Sequence, residues 1–480
     1  MSTPPLLARC TGVALTAAVA AATVTLGAAS AGADPLTDGQ WWSTAMGVDE
    51  LHRSGAGQGI TVALIDGPID SSVPELKGRV ASSQTECVTA DGSPQKSTVA
   101  GLTADHATMM ASLLVGSGKG TASGGRGVAG IAPQVTLRHY AVAFGTNDEP
   151  EKLRCQLKGG VSDAVDDATA RAIRQAVRDG ARIISISLTT DYTDEYIPAL
   201  LDAYRAGAIV VASTNNDRRN VFWPAIGNGV VTVTHVDAKG NLDDSAVRGS
   251  SLVDFAAPGT KIAAGRWTPS GWRSDVVADG SSQATAITAG GLAAVWSAHP
   301  SATGNQVLQA AKDAIGLRAE NGTFLTWFRR VGADLPEATG KTESYGFGIF
   351  SPADAIKLDV EKLSTVNPMV TERGTEDPSA ADIAAATAAS ASSAPTPSAS
   401  SSASTPATGA ATKPPTKASG TSDNAALPWL GAGVLGLLVV GGVLLVVRRR
   451  STAHRPAERE HDPTAAADGA AATTKENSHA

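Results

Sequence analysis

Residues 182–214 read RIISISLTTDYTDEYIPALLDAYRAGAIVVAST, and their pattern indicates the fold class. Residues 182–188 and 208–214 are short apolar runs, rich in β-branched residues and of strand length. Between them, residues 195–207 repeat apolar side chains at helical spacing and end at Gly207. A strand, a helix and a second strand in this order predict two parallel strands joined by a crossover helix.

The same alternation extends toward the N-terminus. Residues 60–66 (ITVALID) and 135–142 (VTLRHYAV) have the composition of strands, whereas residues 107–116 (ATMMASLLVG) and 165–180 (VDDATARAIRQAVRDG) have helical patterns. This alternation is typical of an α/β fold in which helices cover both faces of a parallel sheet. Because ligands of such sheets bind beyond the carboxyl ends of the strands, we look there for residues that carry chemistry.

The composition limits the possible partners and the number of folded domains. The chain has 480 residues, a net charge of −7 and 18% charged residues, so no basic surface suggests a nucleic-acid partner. One compact region, residues 60–366, has the length of a single large α/β domain. The remaining segments differ in composition from this region and are interpreted separately.

The first 33 residues are predicted to be a secretory signal peptide. Arg9 supplies a positive charge, an Ala-, Val- and Leu-rich stretch follows it, and the segment ends in the small residues of 29–33 (ASAGA). A first membrane span is the alternative, but the small residues at the exit favour cleavage. Cys10 would be removed with this segment.

The C-terminal part is predicted to contain a linker, a membrane span and a short tail. Residues 367–425 are predicted to be a linker, because from about residue 377 to residue 423 the chain is almost all Ala, Ser, Thr and Pro, a composition typical of disorder. Residues 427–447 are uncharged and long enough to cross a bilayer as a helix, and Arg448 to Arg450 follow at once. We therefore expect a single-pass protein of the cell membrane, with the globular region outside and residues 448–480 in the cytoplasm.

Four polar residues stand at the strand ends and helix starts of the compact region. Asp66 ends the first strand, His106 opens the helix of residues 107–116, and Asn216 follows the strand of residues 208–214. Ser282 stands where a long Ala-rich helix begins, in DGSSQATAITAGG. Taken singly, each residue has a structural explanation as a turn former, a helix cap or a surface group. Together they provide an acid, a base, an amide and a hydroxyl, in the order Asp, His, Ser of a known catalytic triad.

Seven stretches, in order along the chain, resemble motifs of the subtilisin-like serine peptidases. They are VALIDG (62–67), DHATMMASL (105–113), GRGVAGIAP (125–133), VVASTNN (210–216), AAPG (256–259), GSSQATA (280–286) and YGFG (345–348). With its signal peptide, C-terminal span and cysteines, the chain most resembles the mycosins, membrane-anchored peptidases associated with type VII secretion. The resemblance covers about residues 41–355.

The resemblance implies a role for each of the four residues. Ser282 is expected to be the nucleophile, His106 the general acid and base, and Asp66 the residue that orients the imidazole. The Ser282 backbone N–H and the Asn216 side chain are expected to form the oxyanion hole. No cofactor or metal ion is required. The expected partners are a protein or peptide substrate, the membrane and the type VII secretion machinery.

The chain departs from the family pattern without losing any of these four groups. Ala107, Asn215 and Ala286 replace residues that are usually Gly, Gly and Pro, and Thr189 stands in a segment expected to line the substrate cleft. Slow or selective turnover would fit these changes. Two alternatives stay open: a catalytically silent scaffold that supports a secretion complex, and a hydrolase of esters or other acyl compounds.

Two further predictions concern Cys87, Cys155 and the segment before the first strand. Outside the membrane, an even pair of cysteines is usually bridged, so we predict a Cys87–Cys155 disulfide, with two free thiols as the alternative. Residues 34–59 are too few to fold alone as a pro-domain, and they contain the adjacent Trp41 and Trp42. We expect this extension to pack on the catalytic domain, without an autocatalytic maturation step.

Overall fold

The structure, a computed structural model, describes residues 34–145, 154–158, 165–315, 341–372 and 377–392. The predicted signal peptide, membrane span and cytoplasmic tail lie outside these residues. No helix within the described ranges is long and apolar enough to cross a membrane.

The main sheet of the described region has eight strands, and all neighbouring strands run parallel. In chain order they are β1 (Thr61–Asp66), β2 (Val80–Gln84), β3 (Thr136–Ala141), β4 (Ile183–Ile186), β5 (Ile209–Ser213), β6 (Val231–Val236), β7 (Phe255–Pro258) and β8 (Gly348–Ile349). Their order across the sheet is β8-β7-β6-β5-β4-β1-β3-β2. The predicted α/β fold with a parallel sheet is therefore confirmed.

Ten α-helices are described, and they divide between the two faces of the sheet or lie at its ends. They are α1 (Pro35–Gly39), α2 (Trp41–Ala45), α3 (Val48–Arg53), α4 (Asp105–Val115), α5 (Val165–Arg178), α6 (Tyr196–Arg205), α7 (Ser281–Ala298), α8 (Gly304–Asp313), α9 (Pro352–Ala355) and α10 (Ala380–Ser392). Single 3-10 turns are at Leu102–Ala104, Ser123–Gly125 and Val360–Lys362.

Alternate side chains of β1 enter two different hydrophobic cores. Val62 and Leu64 pack in the core that contains α4 and α7, whereas Ala63 and Ile65 pack in the core of α5 and α6. This division follows from the two-residue repeat of a strand, which sends successive side chains to opposite faces. It explains why the strand reads as a continuous apolar run, because both of its faces are covered.

Helix α7 is almost completely buried between the sheet and the surrounding helices. Its residues from Gln283 to Trp296 are all buried, which matches a sequence that is apolar or small on every side. Small residues let its neighbours approach closely: a side chain added at Gly290 would place its Cβ 2.1 Å from Ile131 Cγ2. The first turn of α7 is consequently held in place by the whole length of the helix.

Within the described ranges, four short antiparallel pairs of strands surround the sheet. They are Cys87–Val88 with Gln156–Leu157, Ser117–Ala122 with Arg126–Ala129, Ile262–Ala263 with Val277–Ala278, and Arg266–Thr268 with Gly271–Arg273. The last pair, named here the 266–273 hairpin, packs on the start of α4. The first pair carries the predicted disulfide, and Cys87 and Cys155 are bonded to each other.

The N-terminal extension forms α1, α2 and α3 and contributes to the main core. Trp42, Met46 and Leu51 are fully buried there. The extension is also bonded to the domain through polar groups: Trp41 Nε1 donates to the Thr260 carbonyl at 3.2 Å. The segment is thus part of the fold of this domain.

The prediction that a disordered linker begins at residue 367 is wrong for the part of it that the structure describes. Asn228 donates to the Thr371 and Pro378 carbonyls, at 3.1 Å each, and accepts from the Thr371 N–H at 2.9 Å. Helix α10 then packs on α6 through Ile383 and Ala386, which are buried. Composition predicted disorder because alanines bury little surface individually, yet here one side of the helix is covered.

Candidate active site

Asp66 is the last residue of β1, an inner strand of the sheet. It therefore lies at the carboxyl ends of the strands, at the point where the strand order reverses. The chain leaves β1 for β2 and β3 on one side, and then crosses to β4 on the other. Such a switch point leaves a crevice beyond the carboxyl ends of the two central strands. The Asp66 side chain is only 1% exposed, and its Oδ1 accepts a hydrogen bond of 2.6 Å from the Gly67 N–H.

His106 lies in the first turn of α4 and faces Asp66. Its Nδ1 is 2.8 Å from Asp66 Oδ1 and 2.9 Å from Oδ2. A carboxylate only accepts, so Nδ1 carries the proton, and the Nε2 of a neutral imidazole is left as an acceptor. The imidazole is 16% exposed, so its free edge is accessible from the crevice.

Two carboxylates control the protonation of His106. Burial disfavours the charged imidazolium, but the charge and hydrogen bonds of Asp66 and the charge of Asp105 outweigh burial, so the pKa of His106 is raised above 6.5. Asp105 is buried as well. Its Oδ1 accepts from the Trp267 N–H at 2.6 Å, and its Oδ2 is 3.3 Å from Arg266 Nε.

Ser282 is the second residue of α7 and lies beside the end of β4. Its hydroxyl donates to the Ser187 carbonyl at 3.2 Å, and the Ser187 hydroxyl donates to the Ser282 carbonyl at 3.1 Å. Because Ile65 pairs with Ile186, the residues that follow them, Asp66 and Ser187, leave the sheet side by side. The two bonds to Ser187 therefore place Ser282 at the same crevice as Asp66.

Asn216 follows β5 and is oriented by the residue that precedes Ser282. Its Oδ1 accepts from the Ser281 N–H at 2.9 Å and from the Ser281 hydroxyl at 3.1 Å. The amide oxygen is thus occupied, and the Nδ2 group remains as a donor. Gly280 has φ 151°, and a side chain there would place its Cβ 3.1 Å from Asn216 Nδ2, so glycine leaves room for the amide.

The structure thus brings all four predicted residues to one edge of the sheet. The sequence analysis assigned no role to Asp105 or Ser281. Both stand directly before a predicted catalytic residue, which is the signal that could have drawn attention to them. Their contacts are made with residues distant in the chain, Trp267 and Asn216, and no local pattern reveals those.

Comparison with known proteins identifies the family of the chain. The family model of the subtilases (Peptidase S8) matches residues 57–348, which is more than half of the chain. The chain belongs to the subtilase family. Subtilases are serine endopeptidases, and the match includes every one of the four residues described above.

A curated subtilase and two solved structures are similar to the chain. Thermitase from Thermoactinomyces vulgaris is 27% identical over 208 residues, which cover 43% of this chain and 65% of thermitase. Fervidolysin from Fervidobacterium pennivorans, a keratinolytic enzyme, has a TM-score of 0.52 and 20% identity over 68% of this chain and 46% of its own. MycP3 protease from the type VII (ESX-3) secretion system has a TM-score of 0.50 and 23% identity over 68% and 90%. These structural likenesses are evidence of the shared fold.

Other side chains of this subtilase provide no candidate metal centre within the described ranges. No group of three or more His, Cys, Asp or Glu residues there could hold a metal ion. Asp166 and Asp167 lie in the first turn of α5, where the helix dipole stabilises negatively charged carboxylates. Asp166 also accepts from the Asp191 N–H at 3.1 Å, which is a structural use of the carboxylate.

Proposed function

We propose that this subtilase is an extracytoplasmic, membrane-anchored serine endopeptidase that cleaves peptide bonds through Ser282, His106 and Asp66. The observation that carries the proposal is the pair of hydrogen bonds between His106 Nδ1 and Asp66. They fix the imidazole so that Nε2 is the basic nitrogen, which is the protonation state that a general base needs.

The reaction starts with attack of the Ser282 oxygen on the carbonyl carbon of the substrate. His106 Nε2 takes the hydroxyl proton as the new C–O bond forms, and then gives it to the leaving amine as the C–N bond breaks. Water then attacks the acyl-enzyme: His106 Nε2 takes a proton from the water as the new C–O bond forms, and gives it to the Ser282 oxygen as the ester bond breaks. Asp66 stays ionised and stabilises the imidazolium that forms between these steps.

The negative charge of the tetrahedral intermediate requires two donors. The Ser282 N–H lies in the first turn of α7, where backbone N–H groups have no partner within the helix and the dipole is positive. The Asn216 Nδ2 group is the second donor, since Ser281 occupies the amide oxygen. In the resting site Ser282 donates to the Ser187 carbonyl, and rotation of its hydroxyl toward His106 precedes attack.

The proposed location and partners rest on the sequence at both ends of the chain. A signal peptide at residues 1–33 would export the protein, a span at residues 427–447 would retain it, and Arg448 to Arg450 would stay cytoplasmic. The motifs resemble those of mycosins, and MycP3 is a protease from a type VII secretion system. We infer association with that type of machinery.

Labelling with a fluorophosphonate probe tests the activity directly, because the probe reacts only with an activated serine. We expect the wild-type ectodomain to be labelled, and Ser282→Ala to remove the label. Turnover of a peptide substrate should fall by roughly 10⁶ in Ser282→Ala or His106→Ala, because the triad acts as a unit. Full labelling of Ser282→Ala would refute the assignment, and an unlabelled, folded wild type would favour the scaffold alternative.

A truncation tests the anchor separately. A chain that ends at residue 426 should be released from the membrane fraction and keep its labelling by the probe. Retention of the truncated chain in the membrane would contradict the proposed span.

A further inference from the structure

A histidine that the proposed mechanism does not use lies behind Asp66. His139 is on β3, the neighbour of β1, and it is 0% exposed. In the register of the sheet it pairs with Leu64 of β1 and with Ser83 of β2. Burying an imidazole without partners would be costly, so its hydrogen bonds determine what it does.

The contacts of His139 specify its protonation state. Nε2 is 2.8 Å from the Gly67 carbonyl, and because a carbonyl only accepts, Nε2 carries the proton. Nδ1 is 2.8 Å from the Ser83 hydroxyl and accepts from it. Burial lowers the pKa of His139 to about 4, against the opposing effects of the Gly67 hydrogen bond and the Asp66 charge. The imidazole is therefore neutral near pH 7.

Gly67 connects this histidine to Asp66. Its N–H donates to Asp66 Oδ1 at 2.6 Å, while its carbonyl accepts a hydrogen bond from His139 Nε2. The residue has little room to move in another direction, since a Cβ there would lie 3.1 Å from the Ala143 carbonyl oxygen. A continuous series of hydrogen bonds runs from Ser83 through His139 and Gly67 to Asp66 and His106.

We propose that His139 is a positioning residue for Asp66: by holding the Gly67 carbonyl, it fixes the Gly67 N–H on Asp66 Oδ1 and so the angle at which Asp66 meets His106. This proposal rests on the proposed function, because orienting Asp66 affects activity only if Asp66 and His106 act together in a triad. It gives the chain a histidine on each side of one carboxylate, one catalytic and bonded directly, the other buried and bonded through a backbone group.

Within the part of the chain that the structure describes, Asp66 is the charged group that acts on His139, and its negative charge opposes the lowering of the His139 pKa by burial. Arg138 and Tyr140, the chain neighbours on β3, project to the opposite face because side chains alternate along a strand. Ser83, and Ser97 behind it at 2.9 Å, are uncharged.

Substitutions at His139 separate the donor from the rest of the side chain. His139→Gln keeps an N–H near Nε2, so the rate of fluorophosphonate labelling should stay within about threefold of wild type. His139→Leu removes the donor, and the rate should fall by about tenfold or more, with a changed pH profile. Ser83→Ala is the matched control, since it removes the bond to Nδ1 and leaves the Gly67 bond intact. Its labelling rate should stay within about threefold of wild type.

Nuclear magnetic resonance on the wild-type protein tests the proposal without relying on the folding of a variant. Nitrogen shifts should report His139 as the neutral Nε2–H tautomer at pH 6, and the low-field Hδ1 proton of His106 should persist in His139→Gln and shift in His139→Leu. An Nδ1–H tautomer, a protonated His139 at pH 6, or a wild-type labelling rate in folded His139→Leu would overturn it. Failure of the wild type to label would instead refute the proposed function. The tautomer of His139 would still be measurable in that case, so the two failures can be distinguished.

Discussion

At the scale of single residues, the candidate site depends on groups that neighbour the four predicted residues. Asp105 and Ser281 each precede one of them in the chain, and each acts on the site through a contact with a distant segment. Asp105 adds a second negative charge near His106 beside that of Asp66. The protonation of His106 and the orientation of Asn216 are consequently set by different neighbours and can be tested independently.

The charge of Asp105 predicts the pH dependence of labelling. His106 must be neutral to accept a proton, so a raised pKa moves the acid limb of the profile to higher pH. Asp105→Asn keeps an oxygen for the Trp267 N–H and removes the charge, and its acid limb should therefore lie at lower pH than in wild type. Asp202→Asn, at a partly exposed position on α6, is the control and should not move the limb. An upward shift in Asp105→Asn would contradict this account.

Asn216 and Ser281 should differ in the size of their effects. Asn216→Ala removes a donor of the oxyanion hole and should lower kcat by about 10²–10³. Ser281→Ala removes only one of the two bonds to Asn216 Oδ1, and the backbone N–H remains, so we expect a loss of about threefold to tenfold. Steady-state kinetics on one peptide substrate measures both. A larger loss in Ser281→Ala than in Asn216→Ala would show that Asn216 is not the donor.

At the scale of elements, the helices differ in how directly the sequence reports their burial. Helix α7 is apolar on every side and is buried on every side. Helix α10 is made of small residues and lies in a segment whose composition suggested disorder, yet Ile383 and Ala386 pack against α6. Asn228 donates hydrogen bonds to the Thr371 and Pro378 carbonyls, which precede α10, and so holds this segment on the domain. Its alanines favour the helical conformation, and the contacts of Ile383 and Ala386 with α6 hold the helix on the domain.

The packing of α10 can be tested with a pair of charged substitutions. Ile383→Asp would bury a carboxylate against α6, and it should lower the free energy of unfolding by about 1–3 kcal/mol or detach the helix. Ala384→Asp, at the adjacent exposed position, should change it by less than about 0.5 kcal/mol. Urea unfolding of residues 34–392 measures both values. Equal stability of the two variants would show that α10 does not contribute to the domain.

At the scale of the whole molecule, two features hold distant parts of the chain together. The Cys87–Cys155 bridge joins residues 68 positions apart, and it connects the edge of the sheet near β2 to the segment after β3. The N-terminal extension adds Trp42 to the main core, so the domain includes residues well before its first strand. Both features affect the entire fold. Loss of the bridge would free the chain between the two cysteines, and loss of the extension would expose the core around Trp42.

Removing the bridge should destabilise the domain as a whole. In the chain-entropy model, closing a loop of this length stabilises the folded state by about 4 kcal/mol. We expect the double substitution Cys87→Ser and Cys155→Ser to lower the free energy of unfolding by about this amount in urea. Maleimide labelling of the unreduced wild type is the control, and reaction of both thiols would show that the bridge is absent in solution.

The burial of the extension predicts how the protein matures. Cleavage beyond Trp42 would remove a fully buried side chain from the core, so the signal-cleaved chain should be the active form. N-terminal sequencing should find the same start, near Asp34, in wild type and in Ser282→Ala. A start beyond Trp42 that occurs in the wild type alone would demonstrate self-processing.

The sequence alone indicated the α/β class, the four residues of the candidate site and the cysteine pair, because strand periodicity and short motifs are local properties of the chain. It did not predict that residues 367–372 and 377–392 would pack on the domain, since that depends on Asn228 and α6, which are distant in the chain. The roles of Asp105, Ser281 and His139 likewise came from the tertiary structure alone. His139 in β3 reads as an ordinary strand residue, and only the register of β3 beside β1 brings it to Gly67 and Asp66. Contacts between strands depend on how the sheet is assembled, and no local pattern in one strand specifies its neighbour.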